Sequence, residues 1–365
     1  SSLMKSTGFR PGFAASVEAI ASNGGQIVPP VMGAAAFIIP MYIPGTTYRD
    51  VVIAAAIPAV LYFVSILAMI HFEARKMGLT GVSRESLPRI ATTLAQGWPI
   101  LFSFAAIVLF LLNGFTPMIA GSVALLITVF VTSFNTKTRL SVRSFLAALE
   151  SGIRNAIPVV MACAAAGLIV GSMNLSGLAG RISGTITVFA DGNLFLALLT
   201  TAVVCVILGM GMTTTIIYIT LAALVVPSVV EMGAPVLAAN LFVFYFGALS
   251  GVTPPVALTT YAAAGIAGSN PWTTGWEAVK VGVASFIIPF MFVYSPGLLL
   301  NGPLSLVVIQ TATACVGVVC LAAAMQGFFA QQLQWWQRWL VGIAALLLIA
   351  PGYGSALTAL VLLLA

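Results

Sequence analysis

Apolar residues run through this chain in stretches of about twenty, the length at which a helix crosses a bilayer. A spanning helix is expected over roughly Tyr48 to Phe72, ending in the charged segment Glu73-Ala74-Arg75-Lys76 and followed by Arg84, Glu85 and Arg89. Two further spans, about Gly97 to Asn113 and Pro117 to Phe134, are joined by the uncharged turn Gly114-Phe115-Thr116. Asn135 to Asn155 carries Lys137, Arg139, Arg143, Glu150 and Arg154, with Val142, Phe145, Leu146 and Leu149 at helical spacing, so it reads as an amphipathic arm on the membrane surface. A span over Ile157 to Met173 leads into a Gly- and Ser-rich loop with Arg181 and Asp191. The apolar run from Leu194 to Val226 is interrupted by Gly209-Met210-Gly211-Met212-Thr213-Thr214-Thr215 and reads as one discontinuous span. Spans near Trp276 to Tyr294 and Leu304 to Gln326 follow. The patch Gln331-Gln332-Leu333-Gln334-Trp335-Trp336-Gln337-Arg338-Trp339 reads as an interfacial anchor, and apolar sequence around Pro351 closes the chain as one kinked helix or a tight pair.

Two short tips interrupt this pattern: Ser22-Asn23-Gly24-Gly25-Gln26-Ile27-Val28-Pro29-Pro30 and Ser250-Gly251-Val252-Thr253-Pro254-Pro255. Consecutive prolines lack backbone donors, so a helix must break there, and lipid cannot satisfy the freed groups. Each tip therefore predicts a re-entrant hairpin, the first over about Pro11 to Ile43 and the second over about Pro235 to Ala267. Pro29 and Pro254 are 225 positions apart, and the same offset superposes Gly8 on Gly233, Ala14 on Ala239 and Val31 on Val256. After the hairpins, Ile57-Pro58 matches Ile288-Pro289 at an offset of 231. The chain thus reads as an internal repeat. Five crossings between the hairpins put their mouths on opposite faces, as inverted repeats around one midplane site require.

Hydrophobic residues fill 61% of 365 positions and charged residues 6%, which excludes an ordinary soluble domain. The net charge of +6 reads as basic loops under the positive-inside bias. No dense basic run interleaved with aromatics exists, so nucleic-acid binding is not expected. By parity Arg75, Lys76, Arg84 and Arg89 share a cytoplasmic side with Lys137, Arg139, Arg143 and Arg338, which leaves Lys5 and Arg10 outside, against the bias. Cys163, Cys205, Cys315 and Cys320 lack metal or disulfide spacing and read as packing residues. His71 sits at a helix end, and neither a nucleophile elbow nor a phosphate loop appears, so an enzyme is not expected and neither is a transition-metal site. The start at Ser1-Ser2-Leu3-Met4-Lys5 suggests a chain that begins inside a longer protein.

The chemistry concentrates at the interruptions. The first tip offers the Asn23 and Gln26 side chains with the carbonyls of Ser22, Gly24 and Gly25, and the second offers the hydroxyls of Ser250 and Thr253 and the carbonyl of Gly251, all hard, neutral oxygen ligands suited to an alkali cation. Half-helix C-termini favour Na⁺ and half-helix N-termini favour a carboxylate. Na⁺ is therefore assigned to Ser22, Asn23, Gly24, Gly25, Gly209, Gly211, Ser250, Gly251 and Thr253. Substrate is assigned to Gln26, Pro29, Pro30, Thr213, Thr214, Pro254 and Pro255. Threonines 213 to 215 could equally back-bond within a helix. For Glu18 a structural partner and an ion role are both open, while Glu277 and Lys280 read as an i, i+3 salt bridge at a helix mouth.

These residues resemble one family. The run Glu18-Ala19-Ile20-Ala21-Ser22-Asn23-Gly24-Gly25-Gln26-Ile27-Val28-Pro29-Pro30-Val31-Met32-Gly33-Ala34-Ala35-Ala36-Phe37 resembles the first hairpin of the large membrane subunit of TRAP transporters, the tripartite ATP-independent periplasmic carriers. The likeness is strongest to the fused permeases paired with TAXI-type binding proteins. Glu73-Ala74-Arg75-Lys76-Met77-Gly78-Leu79, Gly209-Met210-Gly211-Met212 and Thr253-Pro254-Pro255 extend the resemblance along the chain. It implies an all-α, elevator-type secondary transporter in the cytoplasmic (inner) membrane. Such a protein imports an organic acid with Na⁺, fed by a periplasmic binding protein, beside a small-subunit membrane domain and without another cofactor. The family's Gly-Ser-Ser break and small-subunit portion would lie before Ser1 in a fragment of a longer protein; in a complete chain half of the implied ion site would be missing. The implied division is 1–47 as transport domain with the first hairpin, 48–155 as scaffold, 156–275 as transport domain with the discontinuous helix and second hairpin, and 276–365 as C-terminal spans. A sodium/dicarboxylate symporter without a binding protein, and a non-transporting scaffold or channel-like protein, are the alternatives.

Overall fold

The computed structural model describes residues 2–79, 90–134, 141–177, 181, 184 and 188–349. Arg84, Glu85, Arg89, Lys137, Arg139 and the segment around Pro351 lie outside them. Every regular element described is helical, apart from one isolated bridge between Phe328 and Gln332. Among the described residues three helices are long and apolar enough to cross a membrane: Tyr48–Lys76, Pro271–Tyr294 and Leu304–Gln326.

In order, the helices are α1 (Ser2–Ser6), α2 (Pro11–Gly24), α3 (Ile39–Tyr42), α4 (Tyr48–Lys76), α5 (Ile90–Leu112), α6 (Pro117–Phe134) and α7 (Val142–Leu175). Then come α8 (Leu194–Leu208), α9 (Thr214–Leu224), α10 (Val226–Glu231), α11 (Val236–Ser250), α12 (Leu258–Ala267), α13 (Pro271–Val281), α14 (Val283–Tyr294), α15 (Leu304–Gln326) and α16 (Trp335–Ile349). Local chemistry sets several starts. Pro11 and Pro271 occupy first helical turns, where a missing N–H costs nothing. Thr47 donates its backbone N–H and hydroxyl to Asp50 Oδ2 at 2.8 and 2.7 Å, a capping box for α4. Asn193 Oδ1 accepts from the amides of Phe195 and Leu196 to start α8. The core is built around fully buried Tyr62, Tyr218, Tyr245, Phe13, Phe242 and Phe292.

Three expectations change. The surface arm and the span after it are one continuous 34-residue helix, α7. The boundary expected near Asn155 rested on a change of polarity, but the Ala- and Leu-rich sequence on both sides favours helix, so the backbone continues.

The second change is in topology. Along α4, Gly8 lies against Leu79, Arg10 pairs with Glu73, the Ile20 carbonyl accepts from the Tyr62 hydroxyl, and the Pro30 carbonyl accepts from the Tyr48 hydroxyl. Residues 8 to 37 therefore travel the whole length of the 29-residue α4 in the opposite direction, about 43 Å at 1.5 Å per residue. This segment crosses the bundle once, broken at Pro29-Pro30, and does not return to its own end. Residues 235 to 267 behave likewise against α13 and α14: Phe242 meets Phe290 edge to face, Phe246 lies beside Phe286, and Pro254 packs over Gly275. The run expected to be a discontinuous span is the hairpin. Gly209 meets Ser250 near the C-terminus of α11, and α9 then runs back beside it, with Gly247 against Ile217 and Asn240 bonded to Tyr218. Both α8 and α9 pack along α11, and α8 also touches α10. Broken crossing and hairpin tip look alike in sequence; what the arms pack against separates them.

The third change follows from the second. Arg10 sits at the Glu73 end of α4, where Lys76 donates to the Gln326 carbonyl and Arg338 to the Ala324 carbonyl. Lys5 joins them by donating to Ala267. These basic groups share one end of the bundle, so the expected exception to the positive-inside bias disappears.

Candidate functional site

The first break follows from the end of α2. Gly24 and Gly25 let the helix stop against aromatic rings: a Cβ on Gly24 would collide with the Tyr62 ring and stand 3.0 Å from Phe63 Cζ. The carbonyls of Ser22, Asn23 and Gly24 accept amides from Gly25, Gln26 and Ile27, and the Gly24 carbonyl also accepts the Val28 amide, which leaves the Ser22 carbonyl with a second lone pair. Asn23 is buried. Its Oδ1 accepts from Gln26 Nε2 at 3.1 Å, and its Nδ2 has no hydrogen-bond partner. The Tyr62 hydroxyl, flanked by Asn23 and Ser285, donates to the Ile20 carbonyl at 2.7 Å. Ser22 and Gly25 are exposed.

The second break is joined to the hairpin tip. Ser250 is buried, and its hydroxyl lies 2.8 Å from the Gly247 carbonyl and 3.3 Å from the Gly209 carbonyl. A Cβ on Gly209 would come within 2.5 Å of Ser250 Oγ, so the two backbones approach this closely only with glycine. Gly211 takes φ +80°, a left-handed conformation that also favours glycine. Thr214 comes within reach of Gly247, whereas Thr213, the N-cap of α9, is exposed and makes no side-chain cap bond. The Thr253 hydroxyl back-bonds to the Leu249 carbonyl at 2.7 Å, which leaves its lone pairs free but turns its proton inward. Gly251 accepts the Thr259 amide.

Of the residues proposed from sequence, Gly209, Ser250 and Thr214 come together, while Ser22 to Pro30 form a separate group. Among the described residues no hydrogen bond joins the first break to the second or to the hairpin tip. Sequence reasoning missed four tyrosines, Tyr48, Tyr62, Tyr245 and Tyr261, and Ser285. A hydroxyl-bearing residue inside an apolar run was their one available signal. Tyr245 and Ser285 are fully buried, with hydroxyls that have no partner. Glu277 pairs with Arg10 at 3.1 Å, and Lys280 donates to Gln326 Oε1 at 3.1 Å, so the expected bridge between them is replaced by links to other helices. Both side chains reach farther across helices than along one turn.

The backbone around the two breaks repeats at the offset seen in the sequence. The amides of Thr7, Gly8 and Phe9 donate to Leu3, Lys5 and Met4, and those of Met232, Gly233 and Ala234 donate to Ser228, Val230 and Val229. Gly8 and Gly233 take φ of +103° and +98°, and Met32 and Ala257 take +50° and +32°. Pro29-Pro30 and Pro254-Pro255 are both cis. The helices between these points, α2 and α11, run in opposite directions through the bundle. Comparison with known families decides what carries this geometry: the family described as "Tripartite ATP-independent periplasmic transporter, DctM component" matches residues 2–305. The chain belongs to this family. As a DctM component it is a multi-pass membrane subunit of a secondary transporter, not an enzyme, and it works with a periplasmic binding protein and a small membrane subunit. Both breaks and the hairpin tip fall inside the matched residues of the DctM component, whereas α16 lies beyond them. A comparison with curated proteins gives no match.

Proposed function

We propose that this DctM component imports an organic acid together with Na⁺, receiving the acid from a TAXI-type binding protein. One observation carries the reading: α2 and α11, half-helices entering from opposite ends, both stop inside the bundle, and the tip of a hairpin closes on one of them. A half-helix C-terminus concentrates partial negative charge on unsatisfied carbonyls, which favours a cation. Asn23 beside the first C-terminus and Ser250 beside the second add neutral oxygens of the kind that hold an alkali ion. The start of α12 after Pro255 and the start of α9 after Thr213 present N-terminal amides, which suit a carboxylate.

In this reading the two broken crossings are the counterpart elements of an inverted repeat, and the hairpin 194–224 is the gate of the second half. Residues 1–47 and 156–275, joined by α4, form the transport unit that moves against the other helices. Helix α4, which packs along residues 8 to 37 for its full length, moves with that unit. Uptake into proteoliposomes supplied with the cognate binding protein tests the function. An inward Na⁺ gradient is expected to drive accumulation of the acid, and absence of accumulation under that gradient overturns the proposal.

A further inference from the structure

We propose that Tyr48 and Tyr261 are positioning residues that clamp the two breaks through the same backbone atom in each half. The Tyr48 hydroxyl donates to the Pro30 carbonyl at 2.7 Å, and the Tyr261 hydroxyl donates to the Pro255 carbonyl at 2.7 Å. Pro30 and Pro255 are the counterparts at the 225-residue offset, but the tyrosines are not: the positions matching Tyr48 and Tyr261 are Thr273 and Ala36. Two unrelated positions thus deliver one hydrogen bond to equivalent carbonyls. In an unbroken helix each carbonyl would accept the amide four residues on; at half-buried Pro30 a carbonyl left unpaired costs about 1–3 kcal/mol, whereas Pro255 is exposed and its carbonyl gains order rather than desolvation relief. A phenol held by ring packing replaces that amide and fixes where the chain restarts.

The clamps differ in what they tie together. Tyr48 is the first residue of α4, is buried, packs its ring at a tilt against Phe37 with centroids 4.6 Å apart, and brings its hydroxyl within 3.3 Å of the Val31 carbonyl. It fastens the first break to a spanning helix. Tyr261 belongs to the second broken crossing itself, is half-buried and packs with Pro254 against Gly275. It fastens the second break only to its own downstream arm, so that break can shift as a unit while the first cannot move without α4.

The clamping itself does not depend on the nature of the cargo; only its effect on Na⁺ dependence rests on the proposed function. Tyr48→Phe and Tyr261→Phe keep the rings and remove the hydroxyls. Amide hydrogen exchange on the purified full chain is expected to accelerate about three- to tenfold within 25–33 for Tyr48→Phe and within 250–259 for Tyr261→Phe, each without change at the other break. In uptake assays each variant should raise the Na⁺ concentration for half-maximal rate by a similar factor at an unchanged maximal rate. Localised acceleration with no Na⁺ dependence in parent or variants keeps the clamps and removes the ion reading instead. Exchange unchanged at the variant's own break, or a lower unfolding temperature without any local change, reduces the tyrosines to packing and overturns the proposal.

Discussion

The first and second breaks follow one backbone path but stand on different supports. At the first, Gly24 rests on the rings of Tyr62 and Phe63, and the clamp comes from the helix that follows. At the second, the position matching Gly24 is Leu249, and support comes from a hairpin tip, through Ser250 and Gly209. A shared path with unshared contacts shows that the geometry of the break, not any one side chain, is what the two halves have in common. It also sets a difference in mobility: one break is built into a spanning helix, and the other leans on a hairpin of two short arms.

Substitutions at the two glycines should give the largest effects and would test this difference first. Gly209→Ala places a Cβ against both Ser250 Oγ and the Cys205 carbonyl and should reduce uptake at least tenfold, with partial recovery in Gly209→Ala/Ser250→Gly, which relieves the first of these contacts. Failure of the double variant to recover would detach the hairpin tip from the second break. Gly24→Ala forces two aromatic rings to shift within the core and should destabilise the protein by about 1–3 kcal/mol in thermal unfolding. No such pairing rescue by a change in 250–255 is expected, since the crowding partners there are Tyr62 and Phe63.

Two buried hydroxyls sharpen the comparison at smaller scale. Tyr62→Phe removes the bond to the Ile20 carbonyl and should cost about 0.5–1.5 kcal/mol. Tyr245→Phe in α11 removes a buried hydroxyl that has no partner and should be neutral or stabilising in the same assay. Equal losses from both would show that the environment of the second half-helix is as polar as that of the first. The smallest effect belongs to Glu277→Gln. Arg10 is 59% exposed and keeps Glu73, so solvent screening holds the change to a few tenths of a kcal/mol at most.

Much of the site was legible in the sequence. Pro-Pro preceded by glycine marks a backbone that must break, and the 225-residue offset reappears in the hydrogen bonds around Gly8 and Gly233 and in the left-handed residues Met32 and Ala257. Direction was not legible. Two apolar arms of 10 to 15 residues around a polar turn describe α11 and α12 as well as α8 and α9, because hydropathy records length and not the end at which a segment leaves. The contacts of Arg10 with Glu73 and of Tyr48 with Pro30 settle it, and both are long-range. The tyrosine clamps escaped for a related reason: in an apolar run a tyrosine counts as one more core residue until its hydroxyl is seen to meet a carbonyl.

The claim that the two breaks hold the coupling ion is tested most directly by Na⁺-dependent thermal unfolding of the purified protein, with choline chloride holding ionic strength constant. A ligand that binds the folded state raises its stability with the logarithm of concentration once above its dissociation constant. The expected result is an unfolding temperature that climbs with Na⁺ in the parent, with a dependence weakened in Asn23→Ala and again in Ser250→Ala. A parent protein that responds identically to Na⁺ and choline, or variants that keep the full Na⁺ response, would contradict it.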